Sequence, residues 1–359
     1  MTGSQEIFPV ERIRPTLHDV RALDDFRKRF RIDPYRIRRM QYGLYRMFEP
    51  QQHAMARLGP EAEQRAYEHF DTIPLHLSSR HDSQVDGSTK LVLQAHDGAR
   101  WEAVLMRAFT GRTSVCISTQ VGCQAGCPFC ATARMGLKRN LSTAEVLEQV
   151  LIAGRLAKEE GRRLRNVVFM GMGEPLDNES VLFESIERLA ADDGCAFPLR
   201  RLLVSTVGVP DAMCRLIDRF PGIHMALSLH SAKPELRNRL VPWNRRHGWD
   251  ELRGALAYVA ARHNQHRHQG PVMVEHILVD GMNDSREDAE ALIQYVRGLR
   301  VHVNLIPYNP IPGGPPWLPT PRPHRDHFAN WLREAGIFTT IRYSLGSDIQ
   351  AACGQLAQS

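Results

Sequence analysis

The chain of 359 residues has an apolar fraction of 43% and a charged fraction of 24%, as an ordinary globular protein does. Its net charge of +6 is too small to indicate a nucleic-acid partner by itself. The sequence has no apolar run near the roughly 18 residues of a membrane span, and Met1–Val10 lacks the basic and apolar blocks of a secretory signal. We therefore expect a cytoplasmic protein with no membrane partner.

Residues 1–85 have a charged, helical pattern, and we predict that they form a small accessory domain that binds RNA. Within them, the segment 27–46 alternates cations with aromatic rings, a combination that suits phosphates and unpaired bases. A solvated helix face with its aromatic side chains in the core is the alternative interpretation. The cations are Arg27, Lys28, Arg29, Arg31, Arg36, Arg38, Arg39 and Arg46, and the rings are Phe30, Tyr35, Tyr42 and Tyr45.

A connector and a hairpin follow over residues 86–112. Leu91–Gln94 and Trp101–Arg107 are rich in β-forming residues and flank a turn at Asp97–Gly98, which predicts a β-hairpin. We predict that this hairpin links the accessory domain to a core over residues 113–359.

In the core, short β-rich runs alternate with helical stretches. Such alternation predicts parallel strands with crossover helices, and six units predict an α/β fold of the partial (β/α)6 barrel type. The predicted strands are Ser114–Ser118, Asn166–Met170, Arg201–Thr206, Ile223–Leu229, Val272–Leu278 and Val303–Pro307, with a final strand at Phe338–Ser344. The predicted helices are Thr143–Glu160, Asn178–Ala191, Pro210–Arg219, Trp249–Asn264 and Arg286–Leu299.

Polar or glycine-rich residues follow most of these strands. The carboxyl ends of barrel strands carry the chemistry in this architecture, so we expect the site there. A stretch rich in Pro and Gly over residues 307–323 is too long and too stiff for a simple connector, and we expect it to cap the site.

The seven cysteines, in a chain without an export signal, favour metal or redox chemistry over a disulfide scaffold. Cys123, Cys127 and Cys130 lie four and three residues apart in a glycine-containing loop. Three thiolates suit a 4Fe–4S cluster whose fourth iron stays open for a substrate. Zinc is the rival, but a structural zinc site needs four protein ligands, and no nearby His or fourth Cys follows in a zinc-finger rhythm.

The CxxxCxxC spacing, with Phe129 before the last cysteine, resembles the radical S-adenosylmethionine (SAM) superfamily. The resemblance implies that the open iron binds the amino and carboxylate groups of SAM and that Phe129 lies near the adenine. Gly173-Glu174-Pro175, one βα unit later, is similar to the GEP motif of that superfamily, whose glutamate accepts hydrogen bonds from the SAM amino group.

Further motifs narrow the resemblance to the dual-cysteine RNA adenine methyltransferases of the RlmN/Cfr type. The match runs in order from about Asp86 to Leu356, whereas the preceding 85 residues match only loosely. The motifs are Cys116–Cys123, Met170–Pro175, Ser228–His230, Asn304–Asn309 and Asp348–Gln355.

Enzymes of this type use two further cysteines, because carbons 2 and 8 of adenine are not nucleophilic. The resemblance implies that Cys353 takes a methyl group from one SAM, loses a hydrogen atom to a radical made from a second SAM, and adds to the ring. Glu102, which by itself also fits an exposed strand glutamate, would then accept the ring proton. Cys116 would attack Cys353, so that the product leaves as a disulfide forms. We expect the remaining Cys195 and Cys214 to be small buried apolar residues.

The resemblance also implies SAM contacts at positions that fall at or just past predicted strand ends. A structural role for the histidine among them is the alternative from its own pattern. The positions are Gly173, Glu174, Ser205, Ser228, Leu229, His230 and Asn309.

The implied function is methylation of carbon 2 or carbon 8 of an adenine, expected in 23S ribosomal RNA, with tRNA as a further candidate. The implied cofactors are one 4Fe–4S cluster and SAM, and we expect a monomer that takes electrons from a one-electron donor such as flavodoxin. A radical SAM methyltransferase of peptides or small molecules is the alternative. A non-catalytic iron–sulfur or zinc RNA-binding module is a third hypothesis, but it would need neither the Cys116–Cys353 pair nor the GEP motif.

Overall fold

The computed structural model describes residues 14–72, 75–265 and 270–357. These residues belong to two compact units, which divide between residues 74 and 75. The segment Met1–Val10, discussed above for its lack of a signal pattern, lies outside the described residues. The domain boundaries expected at residues 85 and 112 stay predictions.

The first unit is helical, as predicted. The side chains of Asp19 and Asp33 accept hydrogen bonds from the backbone N–H groups of Ala22 and Tyr35, and these caps begin its first two helices. The helices are α1 (Val20–Arg29), α2 (Pro34–Gln41), α3 (Gln51–Ala56) and α4 (Pro60–His69), with a π-helical turn at Tyr42–Arg46.

The aromatic residues of segment 27–46 divide between the core and the surface. Tyr45 is buried and the Phe30 ring packs among other rings of the unit, as the core interpretation predicts. Tyr35 and Tyr42 are instead more than half exposed, at 57% and 55%. Neither interpretation of the segment therefore accounts for all of its rings.

The cations of the same segment also divide into two groups. Arg27 and Lys28 form ion pairs with Asp24, at 2.9 and 2.6 Å. Exposed ion pairs of this kind contribute little to stability, but they reduce the charge available to a ligand. The remaining exposed cations of the segment are Arg29, Arg31, Arg36, Arg38, Arg39 and Arg46.

A mixed sheet organises the second unit, with the strand order β1-β2-β3-β4-β7-β8-β9-β10-β11-β12 among the described residues. Neighbours from β1 to β4 are antiparallel, and neighbours from β4 to β12 are parallel. A separate antiparallel pair is formed by β5 and β6. The strands are β1 (His76–Asp82), β2 (Thr89–Gln94), β3 (Arg100–Arg107), β4 (Thr113–Ile117), β5 (Gln120–Val121), β6 (Arg139–Asn140), β7 (Leu164–Phe169), β8 (Leu202–Thr206), β9 (His224–Ser228), β10 (Val272–Leu278), β11 (Val301–Pro307) and β12 (Phe338–Ile341).

Helices connect the parallel strands. A capping box begins α6: the Ser142 side chain accepts from the Glu145 N–H, and the Glu145 side chain accepts from the Ser142 N–H. Within the described ranges, no helix has the length and apolar character needed to cross a membrane. The helices are α5 (Ala131–Arg134), α6 (Thr143–Glu159), α7 (Glu179–Ala190), α8 (Pro210–Arg219), α9 (Pro234–Leu240), α10 (Trp249–Asn264), α11 (Arg286–Tyr295) and α12 (Arg322–Glu334).

This arrangement confirms the predicted α/β fold. Parallel strands alternate with helices, and the predicted hairpin is the β2–β3 pair, in which Leu93 lies opposite Trp101. In the described part of the chain the order of the strands leaves the sheet open, with β1 and β12 at its edges. The parallel strands place their carboxyl ends along one edge, where the site residues were expected.

Several elements differ from the sequence predictions, β1 and α12 among them. β1 lies in a region predicted to be helical; its sequence is mostly polar and almost entirely exposed, because it is an edge strand with a neighbour, β2, on one side only. α12 begins inside the predicted cap over residues 307–323, with Pro323 in its first turn. The strand at Phe338–Ser344 is also shorter than predicted, because β12 ends at Ile341.

Candidate active site

A cavity lies at the carboxyl ends of the parallel strands. The strand ends of β4 and β7–β11 line it, together with the cysteine-bearing loop 122–130 (the cluster loop) and the segment 345–357 (the tail). The cysteines that line it are all free thiols: Cys116, Cys123, Cys127, Cys130 and Cys353.

The cluster loop has a fixed backbone. The Cys123 N–H donates to Gly136 O at 3.2 Å, and the Cys130 N–H donates to Cys127 O at 3.1 Å. Gly122, with φ of +81°, begins the loop, and a Cβ at this position would overlap with the Gly136 carbonyl. Only glycine fits there without strain, so the turn that presents the three thiols depends on that residue.

The donor set fits an iron–sulfur cluster better than a zinc ion. Among the described residues, the sulfurs of Cys123, Cys127 and Cys130 do not all lie within 4.8 Å of one another. Three thiolates bound to one tetrahedral zinc ion, each about 2.3 Å from it, lie closer together than that. Wider spacing suits a centre with several metal ions.

A second observation supports the same assignment. Trp243 packs in one buried group with Cys123 and Cys127. Its indole Nε1 is buried and has no hydrogen-bond partner in the described part of the chain. The sulfur atoms of iron–sulfur clusters accept N–H donors of this kind, and such bonds adjust the reduction potential.

In their protonated form, the three thiols of the cluster loop are poor metal ligands. Burial raises the pKa of Cys123 to about 12, and burial together with the neighbouring thiolates raises the pKa of Cys127 well above its ordinary value. Burial also raises the pKa of Cys130. Because metal ligands must be deprotonated, binding of a metal centre has to release protons here.

Glu174 is held in the loop that follows β7. One carboxylate oxygen accepts from the Leu176 N–H at 3.0 Å, and the other accepts from the Val207 N–H at 2.8 Å. Burial nevertheless raises the pKa of Glu174 to about 7. Gly173 has φ of +102°, and a Cβ there would lie 2.6 Å from the side chain of Gln120, so this approach requires glycine.

Ser205, Ser228 and His230 bring three polar side chains to the cavity. The Ser205 and Ser228 hydroxyl oxygens are 3.2 Å apart, across the ends of β8 and β9. The Nδ1 atom of His230 accepts from the Ile277 N–H at 3.1 Å, so the proton of the neutral ring is on Nε2. Burial lowers the pKa of His230 well below its ordinary value, which leaves a neutral N–H donor at the cavity wall, edge-on to the Phe129 ring.

Cys116 and Cys353 face the same cavity from different elements. Cys116 lies on β4, and Cys353 lies on the tail. Burial raises the pKa of Cys116 to about 12, and the charge of Cys353 contributes to that shift. The structure thus brings together two thiols that are separated by more than two hundred residues in the sequence.

The tail is tied down on both sides of Cys353. Asn309 donates to the Cys353 carbonyl at 3.1 Å, and the Ala131 N–H donates to Gly354 O at 2.7 Å. The 307–323 stretch, predicted to cap the site, therefore contributes by holding the tail through Asn309, which does not itself line the cavity.

Two other predicted site residues do not line the cavity. Leu229 is buried, and its N–H donates to Glu275 O at 3.0 Å. Glu102 is fully buried on β3, where its carboxylate lies 3.4 Å from Lys90 Nζ and accepts from the Ala357 N–H at 3.0 Å. It is therefore not the exposed strand glutamate of the alternative interpretation.

Two cavity residues were missed by the sequence analysis. Arg342, just after β12, lines the cavity with Glu275 of β10. The charges of Cys353, Glu275 and Cys116 raise the pKa of Arg342, so its guanidinium is a permanent cation beside both thiols. Glu275 accepts from Asn304 at 2.9 Å through one oxygen, and its other oxygen is buried without a hydrogen-bond partner among the described residues. No motif marks either residue in the sequence.

Arg237, also missed, fixes the strand ends that carry the serines. It is fully buried on α9 and donates to the carbonyl oxygens of Val207, Ser228 and Leu229. Burial lowers its pKa to about 10. A buried arginine that satisfies three loop carbonyls holds the backbone around the cavity in one conformation.

Comparisons with known proteins agree with this geometry. Residues 117–296 match the model of the radical SAM superfamily. The crystal structure of a radical SAM methyltransferase from Sphaerobacter thermophilus is similar, with a TM-score of 0.89 and 38% identity over 96% of this chain and 100% of that chain. The "Dual-specificity RNA methyltransferase RlmN 1" of Myxococcus xanthus is 40% identical over 90% of this chain and 88% of its own length. The chain belongs to the RlmN family of radical SAM methyltransferases.

Other relatives extend the match. A protein of Rhodopirellula baltica named "Probable RNA methyltransferase" is 43% identical over 94% of this chain and 86% of its own length. As a radical SAM enzyme of the RlmN family, this chain uses a 4Fe–4S cluster and SAM. It is thus a methyltransferase rather than a non-catalytic binding module.

Proposed function

We propose that this protein methylates carbon 2 or carbon 8 of an adenine in RNA, with 23S ribosomal RNA as the main substrate and tRNA as a second one. The observation that carries the proposal is the presence of Cys116 and Cys353 in one cavity with the three cysteines of the cluster loop. The names of RNA methyltransferases among its relatives support RNA over a peptide or small molecule.

In this proposal each side chain has one task. Cys123, Cys127 and Cys130 would hold the 4Fe–4S cluster, and the chemistry that the cluster would supply is one-electron reduction of SAM. Glu174 accepts from the SAM amino group, and Ser205, Ser228, His230 and the backbone around Gly173 and Leu229 bind the rest of the cofactor. Asn309 positions the tail through the Cys353 carbonyl.

The remaining residues handle the methyl group and the proton. Cys353 carries the methyl carbon to the adenine, and Cys116 then attacks the Cys353 sulfur, so that a disulfide forms as the carbon–sulfur bond to the product breaks. Glu102 accepts the ring proton. Since Glu102 is buried and does not line the cavity, it reaches the ring only if the end of the tail, whose Ala357 N–H donates to it, moves.

The proposal extends to partners and location. The protein acts as a monomer in the cytoplasm and takes electrons from a one-electron carrier such as flavodoxin. The excess of positive over negative side chains, with a net charge of +6, is compatible with both an RNA substrate and an acidic carrier.

Mass spectrometry of nucleosides from RNA tests the proposal. Unmodified 23S ribosomal RNA is incubated anaerobically with the reconstituted enzyme, SAM and dithionite, and then digested to nucleosides. We expect a methyladenosine that co-elutes with the carbon-2 or the carbon-8 standard and is missing with Cys353→Ala. A product methylated only on nitrogen or oxygen, or no product from RNA while a peptide is methylated, would contradict the proposal.

A further inference from the structure

The segment from Arg239 to Arg246 covers part of the cluster loop. It begins in the last turn of α9 and includes a 3₁₀ turn at Pro242–Arg246. The Trp243 N–H donates to Ala125 O at 3.3 Å, so the backbones of the two segments are joined directly. Trp243 also packs in the buried group that contains Cys123 and Cys127. This segment is therefore a piece of protein surface directly over the metal-binding thiols.

The outer side of the segment is positively charged. Arg239, Arg245 and Arg246 are exposed, and we call them the arginine face. The ion pairs formed near them are Lys233–Asp288 and His247–Glu251, and neither involves the arginine face. In the described part of the chain its three guanidinium groups have no carboxylate partner. Three unneutralised cations so close together attract an anionic partner.

Trp243 connects the arginine face with the cysteines. The Arg246 guanidinium carbon lies 3.9 Å from the centre of the Trp243 indole, a cation–π contact. The same indole is 5% exposed, and its unpaired N–H lies within the buried group of the cluster loop. The Trp243 side chain thus contacts the exposed Arg246 on one side and the buried group that contains Cys123 and Cys127 on the other.

We propose that the arginine face is the docking surface for a small acidic one-electron carrier protein. This inference rests on the proposed function, because only a reductive use of the cluster requires a carrier. On docking, the carrier loses one electron and the 4Fe–4S cluster gains it, without bond formation or proton transfer. Opposite charges on the two surfaces accelerate the encounter and orient the carrier over the segment that packs on the cluster loop.

RNA is the other polyanion that three arginines attract. The contacts favour the carrier, because the segment that bears the arginine face is bonded to the cluster loop, where electrons must arrive. RNA has to reach Cys116 and Cys353 through the cavity, and none of the three arginines lines that cavity. The two partners are distinguished by measuring the binding of flavodoxin and, separately, of an RNA fragment to the same variants.

Charge neutralisation tests the docking surface. Arg239, Arg245 and Arg246 are all changed to Gln, and binding of oxidised flavodoxin to the reconstituted enzyme is measured at low salt without SAM or RNA. We expect the Kd to rise about tenfold or more, because each lost rim charge weakens steering and affinity. Bleaching of the oxidised cluster by reduced flavodoxin, followed by stopped flow, should slow by a similar factor. Its bleaching by dithionite should not change.

A matched control has the same change in charge elsewhere in the same unit. Arg163, Arg165 and Arg200 are exposed at the amino ends of β7 and β8, and their replacement by Gln should leave flavodoxin binding unchanged. The single variant Arg245→Gln leaves the Trp243–Arg246 contact in place and should give a smaller loss, which tests the surface if the triple variant loads poorly with iron.

Three outcomes would overturn the inference. The control triple variant could lose as much flavodoxin affinity as the test variant, which would show only an effect of net charge. The test variant could bind RNA more weakly while flavodoxin binding stays the same, which would assign the face to RNA. Flavodoxin binding and reduction could also stay unchanged in the test variant. Failure of the proposed function can be told apart from failure of the docking surface. In the first case the wild type would not methylate RNA even with dithionite as the electron donor.

Discussion

Cys353 and Cys116 have the same side chain but different surroundings. Cys116 is fixed on a central strand and, with its pKa raised to about 12 by burial, is almost entirely protonated at neutral pH. Cys353 is on a tail that is held by hydrogen bonds through its neighbours. Cys353 thus lies on an irregular segment held by hydrogen bonds, whereas Cys116 is part of a buried central strand.

Substitution of the two cysteines should therefore give two different failures. Cys353→Ala should form no methylated enzyme and no adduct with RNA. Cys116→Ala should be methylated and add to the adenine but then stall, because no thiol is left in position to attack the Cys353 sulfur. Denaturing electrophoresis should show a protein–RNA crosslink that nuclease trims to one nucleotide.

Cys195→Ala is the matched control for that experiment. Cys195 is buried outside the cavity, as the sequence analysis expected of a leftover cysteine, whereas Cys214 is only partly buried. Replacement of Cys195 by Ala should leave turnover intact. Normal turnover by Cys116→Ala, or a crosslink with neither variant, would rule out the two-cysteine reaction.

SAM binding should depend on pH through Glu174. Burial raises the pKa of this carboxyl to about 7, so acidification through neutral pH converts it to the neutral form. The neutral acid attracts the SAM ammonium group less, and the Kd of SAM should rise as pH falls, by up to about tenfold per unit below the pKa. Equilibrium dialysis between pH 5.5 and 8 measures the effect. Glu174→Gln should bind SAM weakly at every pH. If the Kd of SAM in that variant depends on pH as it does in the wild type, Glu174 is excluded as the titrating group.

Sequence spacing was sufficient to bring the three cysteines of the cluster loop together, but not to predict the rest of the cavity. Three cysteines within eight residues must lie close together whatever the fold. Arg342 and Glu275 reach the same cavity from different strands, and a single charged residue in a strand gives no local signal of that. Glu102 came from resemblance alone, and its burial beside Lys90 depends on the β2–β3 pairing and on the tail.

The backbone conformation of the cluster loop depends on Gly122 at its start. Gly122→Ala should strain the backbone, at about 1–3 kcal/mol for a left-handed non-glycine residue, and should push the added methyl against the Gly136 carbonyl. We expect iron and sulfide contents after reconstitution to fall well below those of the wild type. Gly254→Ala is the control: its Cβ meets no atom within 4 Å on α10, so it should load normally and gain about 1 kcal/mol of stability. Full loading of Gly122→Ala would show that the loop tolerates another backbone conformation.

Three elements were predicted to the residue. β10, α8 and α10 have the predicted bounds; Pro210 marks the start of α8 and Gly248 precedes α10, and both are local signals. β1 was missed because a polar edge strand owes its form to the neighbouring strand rather than to its own side chains. α12 was hidden by the prolines that precede and begin it.

For the whole molecule, the main open prediction concerns the grip on RNA. Replacement of Arg38, Arg39 and Arg46 by Gln removes three exposed cations near Tyr35 and Tyr42. If these cations contact phosphates, the slope of log K against log salt should become shallower by about one unit per lost contact. Methylation at saturating RNA should change less.

Fluorescence anisotropy of a labelled RNA fragment at several salt concentrations measures that slope. The Arg163, Arg165 and Arg200 triple variant is again the control, since it removes the same charge from the other unit. An unchanged slope in the test variant would support the simple interpretation of a solvated helix face.

The order of synthesis adds a constraint on this enzyme. Asp348 of the tail accepts from the Ser83 hydroxyl at 2.8 Å, and the Gly346 N–H donates to Asp86 at 2.6 Å. About 260 further residues must therefore be synthesised after Ser83 and Asp86 before these hydrogen bonds can form. At 5–20 residues per second, that delay is on the order of tens of seconds on the ribosome. During this interval the cysteine-bearing loop exists without the tail that covers it. The nascent chain therefore carries Cys123, Cys127 and Cys130 before the tail that bears Cys353 has been made.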